Sequence, residues 1–262
     1  MGLFLADDPH IDETKRQTGF YRYRQLLNTR FGQWWKVNAL TLAGFIPLAA
    51  GIVYAVGSSS ILVLIPCSIL GGMIAGPFLA GMYDILFRGF RDDPMPWKAA
   101  WTRSWKQNWR GSLIPGALLG LMLGLYAFMG MLLWIAEIPP SLGTILLYLF
   151  SLLLVLVINS LYWPQLVLFN QKAGIRLRNC LLFCIRNFLR VMGAGLLHLG
   201  YWAVIVLFAP WSLALLPVTG VWYILFLTQF LMYEQMDEVF RIEELYEGGV
   251  CSSEDGVDVP EE

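Results

Sequence analysis

Pro96-Trp97-Lys98-Ala99-Ala100-Trp101-Thr102-Arg103-Ser104-Trp105-Lys106-Gln107-Asn108-Trp109-Arg110 is the stretch around which the chain reads. Tryptophan recurs every fourth residue, and a helical step of four turns the face by only about 40°. The four indoles Trp97, Trp101, Trp105 and Trp109 therefore form one slowly drifting stripe, with Lys98, Arg103, Lys106 and Arg110 mostly outside it. Tryptophan favours the membrane–water boundary, where its ring is buried and its N–H stays wet. A basic helix with a Trp face suits that boundary, lying flat in it.

Long apolar runs flank the stretch on both sides. The chain has 262 residues, 57% hydrophobic and 14% charged, against roughly 25% charged in soluble domains. So few charges would not cover a soluble globule of this size. A hydrocarbon core of about 30 Å takes about 20 helical residues. Six runs meet that length, giving spans at about 35–56, 61–83, 113–136, 142–163, 189–209 and 211–233. The predicted fold is thus all-α and polytopic. A cytoplasmic segment 1–30 precedes a six-span membrane domain 31–247, with interfacial amphipathic helices in the loops 84–112 and 170–188. An acidic tail 248–262 is expected to be disordered. Asp92 or Asp93 can cap the Trp helix, with Pro96 in its first turn.

Charge sets the orientation. Residues 1–233 hold 17 Lys+Arg and 8 Asp+Glu, whereas 234–262 hold eleven acidic residues and Arg241 alone as a base. The turns near 57–60, 137–143 and 210–212 have no Lys or Arg. The positive-inside rule places both termini and both long loops in the cytoplasm. No cleavable signal is expected, because Met1–Arg30 lacks a leading apolar core. Ala6 stands where a myristoylation motif wants Ser or Thr. The pattern of interfacial helix, outward span, tight turn and inward span reads as a unit used three times. Shared interfacial chemistry alone would produce the same look.

Gly72, Gly76, Ala80 and Asp84 share one face of the second span, and Gly116, Gly120 and Gly124 share one of the third. Such small-residue stripes let helix backbones approach closely, and these two are read as packing faces, against each other. Asp84 either pairs with a base such as Arg88 or lines a site. Asn159, His198 and Gln229 are the polar groups at membrane centre, and with Asp84 they make up a candidate pocket. Intramembrane ionisable groups are functional hypotheses, although one His can simply bond a neighbouring carbonyl. The lack of a membrane-centre carboxylate argues against proton- or sodium-driven transport. Cys67, Cys180, Cys184 and Cys251 form no Cys-x-x-Cys, so no metal or cofactor is expected. Walker A, His-Glu-x-x-His and Gly-x-Ser-x-Gly are missing, so an enzyme is not expected. Nucleic acid is not an expected partner; membrane lipid is. The lipid- or partner-binding candidates are Trp97, Trp101, Arg103, Trp105, Lys106, Asn108, Trp109 and Arg110.

Three pieces carry a family likeness: Trp35-Lys36-Val37-Asn38 with Pro47, Gly76-Pro77 with Ala80-Gly81, and Ser104-Trp105-Lys106-Gln107-Asn108-Trp109. Over about Phe31 to Gly116 their order and spacing resemble the YesL-type membrane proteins of Gram-positive bacteria. The C-terminal half agrees only in general pattern, and family members often carry Phe at the positions of Trp105 and Trp109. The resemblance implies a protein of the bacterial cell membrane, of unknown molecular activity, often encoded beside carbohydrate ABC transporters. It implies no catalytic residues. Two readings of function are open. One is an accessory protein supporting carbohydrate uptake by an ABC transporter. The other is a substrate-binding or transporting subunit with a pocket between Pro/Gly-broken helices.

Overall fold

A computed structural model describes residues 16–247, and all of its regular structure is helical. The acidic tail 248–262 with Cys251, and the first fifteen residues, lie outside the described residues. The helices are α1 (Gly19–Gly57), α2 (Ile61–Phe90), α3 (Trp97–Ile135), α4 (Leu142–Leu168), α5 (Ala173–Arg186), α6 (Phe188–Leu207), α7 (Gly220–Phe240) and α8 (Ile242–Glu247). A 3-10 turn, Trp211–Leu215, lies between α6 and α7. The protein is a multi-pass membrane protein: α1, α2, α3, α4 and α6 are long and apolar enough to cross a bilayer. α7, at the place of the expected sixth span, is not among them. It mixes Thr228, Gln229, Glu234, Gln235 and Asp237 into its apolar residues.

Two expected boundaries disappear. The segment before the first span and the span itself form one helix, and so do the Trp stretch and the third span. No separate Trp helix lies flat. Lys98 to Arg110 contains no Pro or Gly to break the helix, and Gly111 and Pro115 do not interrupt it. At about 1.5 Å per residue, a 39-residue helix is about 58 Å long, nearly twice the hydrocarbon thickness. Part of α1 and part of α3, both 39 residues long, therefore extend beyond the hydrocarbon. The loop expected over 84–112 shrinks to residues 91–96. The second one, 170–188, is mostly α5, which breaks from α6 at Asn187. Neither aspartate caps α3, whose N-cap is Pro96. Asp93 accepts from the Met95 N–H at 2.8 Å, and Asp92 sits at φ 57° and pairs with Arg22.

α2 is the central helix. On one side Gly44 and Gly51 of α1 leave room for Phe78 and Cys67, and Gly71 leaves room for the backbone of Leu48. On the other side the small-residue stripes of α2 and α3 meet as expected. A Cβ on Gly72 would lie 2.9 Å from the Cα of Gly120, and one on Gly76 would lie 3.1 Å from the Cα of Gly116. The stripe on α3 is longer than the three glycines. Its buried residues are Ala100, Ser104, Ser112, Gly116, Gly120 and Gly124, all four or eight apart.

Gly116 generates the first prediction. A methyl group there meets the Gly72 backbone, which cannot rotate away. Gly116→Ala should lower the thermal midpoint in detergent, at the overpacking cost of about 1–3 kcal/mol. Gly111, with nothing near its absent Cβ, is the matched control. Gly111→Ala should be neutral or stabilising by about 0.5–1 kcal/mol, since Ala is the better helix former. Equal midpoints for the two variants would refute the close contact.

Candidate functional site

The Trp stripe does not form the innermost face of α3. The buried column, Ala100 and Ser104, is one residue ahead of it, and the indoles flank that column. Trp101 and Trp105 stack on each other with centroids 5.3 Å apart, and Phe78 of α2 meets Trp105 edge-on at 4.7 Å. Gly81 is small because the Trp101 indole lies over it, 2.8 Å from where a Cβ would be. Trp97, Trp101 and Trp105 are half-buried, so much of the stripe's apolar surface goes into helix packing. Trp109 is 42% exposed, with the Arg110 guanidinium 5.4 Å above its ring. Lys106, Gln107 and Arg110 are exposed beside it. Arg103 is half-buried, and Asn108 donates to Ser104 Oγ at 3.4 Å. The eight candidates thus divide: Trp97, Trp101 and Trp105 pack into the bundle, Arg103 and Asn108 are half-buried, and Lys106, Trp109 and Arg110 present an open face.

The four pocket candidates do not converge. Asp84 accepts from Arg88 Nε at 2.8 Å, and the same guanidinium reaches Asp93 at 2.6 Å. A shared arginine is what two buried carboxylates need. Asn159 donates to the Val155 carbonyl and accepts from Trp163 Nε1 at 3.2 Å. Gln229 donates to the Ser160 carbonyl at 2.9 Å. His198 is buried on α6. Among the described residues no hydrogen bond joins one of the four to another. His198 Nδ1 and Gln229 Oε1 are buried without a partner among them. Nor do the described residues hold a group of three His, Cys, Asp or Glu able to take a metal.

Asn38 matters more to the architecture than any of these. It is fully buried on α1. Its Oδ1 accepts from the N–H groups of Val221 and Trp222 at 2.9 and 3.3 Å, and its Nδ2 donates to the Leu216 carbonyl at 3.2 Å. One amide thereby serves free donors at the start of α7 and a carbonyl of the turn before it. Gly220 has no Cβ because Asn38 fills that space. Below this clamp α7 packs along the first half of α1: Trp222 stacks on Trp34 at 5.8 Å, and Phe226 on Tyr23 at 5.1 Å. A lone Asn in an apolar run is the one signal available locally, since a buried amide must find partners. The partners lie about 180 residues away and cannot be named from the run itself.

The ion pairs gather at the same end of the bundle. Arg22 bonds the Phe90 carbonyl at 2.9 Å and Asp92 at 2.7 Å, tying α1 to the α2–α3 connection. Arg16 Nη1 donates to Glu243 Oε2 at 2.9 Å, and Arg186 to Glu238 at 2.9 Å. Both ends of the described chain therefore lie on one side. The hydrogen bond from Arg16 holds the Glu243 carboxyl below its usual range.

Comparison of the chain with protein-family models, with curated proteins and with solved structures found no match in any of the three.

Two outcomes test this geometry. Asn38→Leu strands two buried N–H groups and a carbonyl, at about 1–3 kcal/mol for each unsatisfied group. It should lower the melting midpoint and raise amide exchange at Val221 and Trp222, whereas an unchanged exchange pattern would remove the clamp. The Glu243 pair has a defined pH sign. A carboxyl with depressed pKa stabilises the fold above its unfolded value, and that contribution is lost as pH falls through the lower folded value. Docking of α8, followed by a fluorophore on it, should loosen below the normal Glu range in the parent. In Arg16→Gln it should be weaker at neutral pH and nearly pH-independent.

Proposed function

We propose that this chain is an accessory protein of the bacterial cytoplasmic membrane, with both termini cytoplasmic, that docks a membrane partner through the open face Lys106, Trp109 and Arg110. The observation that carries the reading is the continuity of α3. The face is held on a rigid extension of a membrane span, clear of the bilayer, with an exposed indole between two bases. Aromatic and arginine side chains of this kind are common anchors of interfaces. The positive-inside rule supports the cytoplasmic orientation, because Lys and Arg concentrate at the end of the bundle that holds both described termini. Its partner is a component of an ABC transporter for carbohydrate, a context that comes from the YesL-type resemblance. α5 supports a place at the same boundary: Cys180 and Phe183 face inward while Leu177, Leu181 and Ile185 are exposed at helical spacing. That outward apolar face fits a helix lying at the lipid surface.

A second reading rests on the unpartnered Nδ1 of His198 and Oε1 of Gln229. Each of these buried atoms, one on α6 and one on α7, favours a small polar guest beside it, as in a substrate-binding subunit.

Mild-detergent purification with mass spectrometry separates the two. The accessory reading expects an ABC permease to co-purify with the parent. Lys106→Gln with Arg110→Gln should insert normally, because Arg88, Arg91 and Lys98 remain. At about 1 kcal/mol per base, the pair should lose roughly thirtyfold in affinity, and added salt should weaken the parent likewise. Recovery of the permease at parental levels by the double variant would overturn the docking face. A retained small molecule without any permease would favour the second reading.

A further inference from the structure

The third hairpin differs from the first two. The tip between α1 and α2 is Gly57-Ser58-Ser59-Ser60, and the tip between α3 and α4 carries Glu137 and Ser141. Both are polar, as a turn in water should be. Residues 206–218, Val-Leu-Phe-Ala-Pro-Trp-Ser-Leu-Ala-Leu-Leu-Pro-Val, contain no charge and one polar side chain. That one, Ser212, is buried and donates to the Ile205 carbonyl. The apolar groups point outward: Trp211 is 86% exposed, with Phe208, Leu213 and Val218 exposed around it.

The tip is also short. The Tyr201 hydroxyl bonds the Gly220 carbonyl at 2.7 Å, and Asn38 bonds both sides of the α7 start. Residues 201, 220 and 38 are thus near one level. From Asn38, α1 runs 19 residues further to Gly57, about 28 Å at 1.5 Å each. From Tyr201, α6 has six residues left before it ends at Leu207, about 9 Å. The five-residue 3-10 turn adds at most about 10 Å, so the tip reaches no more than about two-thirds of the height of the α1–α2 turn. Asn38 lies near the inner end of the first apolar run, so the tip stays within the hydrocarbon, short of its far surface.

The backbone suits that place. The N–H groups of Phe208, Ala209, Ser212, Leu213, Val218 and Thr219 all donate to carbonyls of the hairpin itself. Pro210 and Pro217 have no N–H to satisfy. Irregular backbone at membrane depth needs its polar groups bonded, and among the described residues most N–H groups of this tip are, that of Trp211 being the exception.

We infer that the α6–α7 hairpin is re-entrant: it enters the bilayer from the inner face and turns back within the hydrocarbon, with its tip 206–218 immersed in lipid acyl chains. The inference rests on the reading that α1 to α4 cross the membrane with their long ends cytoplasmic. α7 is then a helix of the inner layer rather than a span, which accounts for its polar residues and for its packing on the first half of α1.

The test uses the full chain with its four native cysteines replaced. Nitroxide labels on Trp211→Cys and, separately, Leu213→Cys are read by spectroscopy in lipid vesicles with oxygen and a water-soluble nickel chelate. Collisions should be frequent with oxygen and rare with nickel, at a depth of about 10–15 Å, near the middle of a roughly 30 Å core. In intact cells an impermeant maleimide should label Ser59→Cys and Ser141→Cys but neither tip variant. Labelling of a tip variant from outside would mean a full sixth span and overturn the inference. Low collision rates with both reagents would mean that protein, a second copy or a partner, covers the tip, and would overturn it equally. Failure of Ser59→Cys and Ser141→Cys to label would instead refute the orientation, which the depth measurement does not depend on.

Discussion

Backbone meets backbone between α2 and α3, and the rest of the arrangement depends on that contact. Gly72, Gly76, Gly116 and Gly120 leave no volume between the two helices for a side chain. In lipid the hydrophobic effect does not drive helices together, so close van der Waals approach must do so. The pairing sets α2 as the axis of the bundle. α1 takes its opposite side through Gly44, Gly51 and Gly71, and α4 reaches its C-terminal end through Trp163 stacked on Tyr83 at 6.4 Å. The later helices of the chain pack around that end.

The two halves of the bundle are built differently. Toward the tips, α1, α3 and α4 bury a narrow face each and leave apolar residues such as Val53, Leu132 and Leu147 exposed. Toward the other end the core is continuous, from Leu26 and Trp34 through Phe87 and Phe90 to Phe226 and Met236. Arginine completes it: Arg22, Arg88 and Arg16 each bridge elements that the aromatic core brings together. Burying Arg88 between Asp84 and Asp93 is tolerable because each carboxylate receives a donor.

Much of this is legible in the sequence, for physical reasons. Apolar runs of span length identify membrane helices, and glycines four apart identify close faces, because little else explains either pattern. Asp84 and Arg88 are one turn apart on a helix, so their pairing can be read locally. Helix continuity cannot, since Gly111 and Pro115 are compatible with a break or with none. The Trp stripe misleads for a related reason. Tryptophan draws attention, while the residues that touch α2 most closely are the small ones beside it. α7 reads as a span from its apolar residues, although Gln229 and Gln235 point to a helix surrounded by protein. Asn38 joins positions too distant in the chain for any local pattern to connect.

An unbroken α3 also couples rotation along its length. The glycine contact fixes the azimuth of Gly116 against α2, and each residue back toward the start turns the face by about 100° and moves it about 1.5 Å. The direction in which Trp109 and Arg110 face is therefore dictated by a contact inside the bilayer. One added residue after Arg110 would swing that face by more than a quarter turn without altering a single side chain in it. The helix acts as a keyed shaft. Composition sets the chemistry of that face, and registry between α2 and α3 decides which way it points.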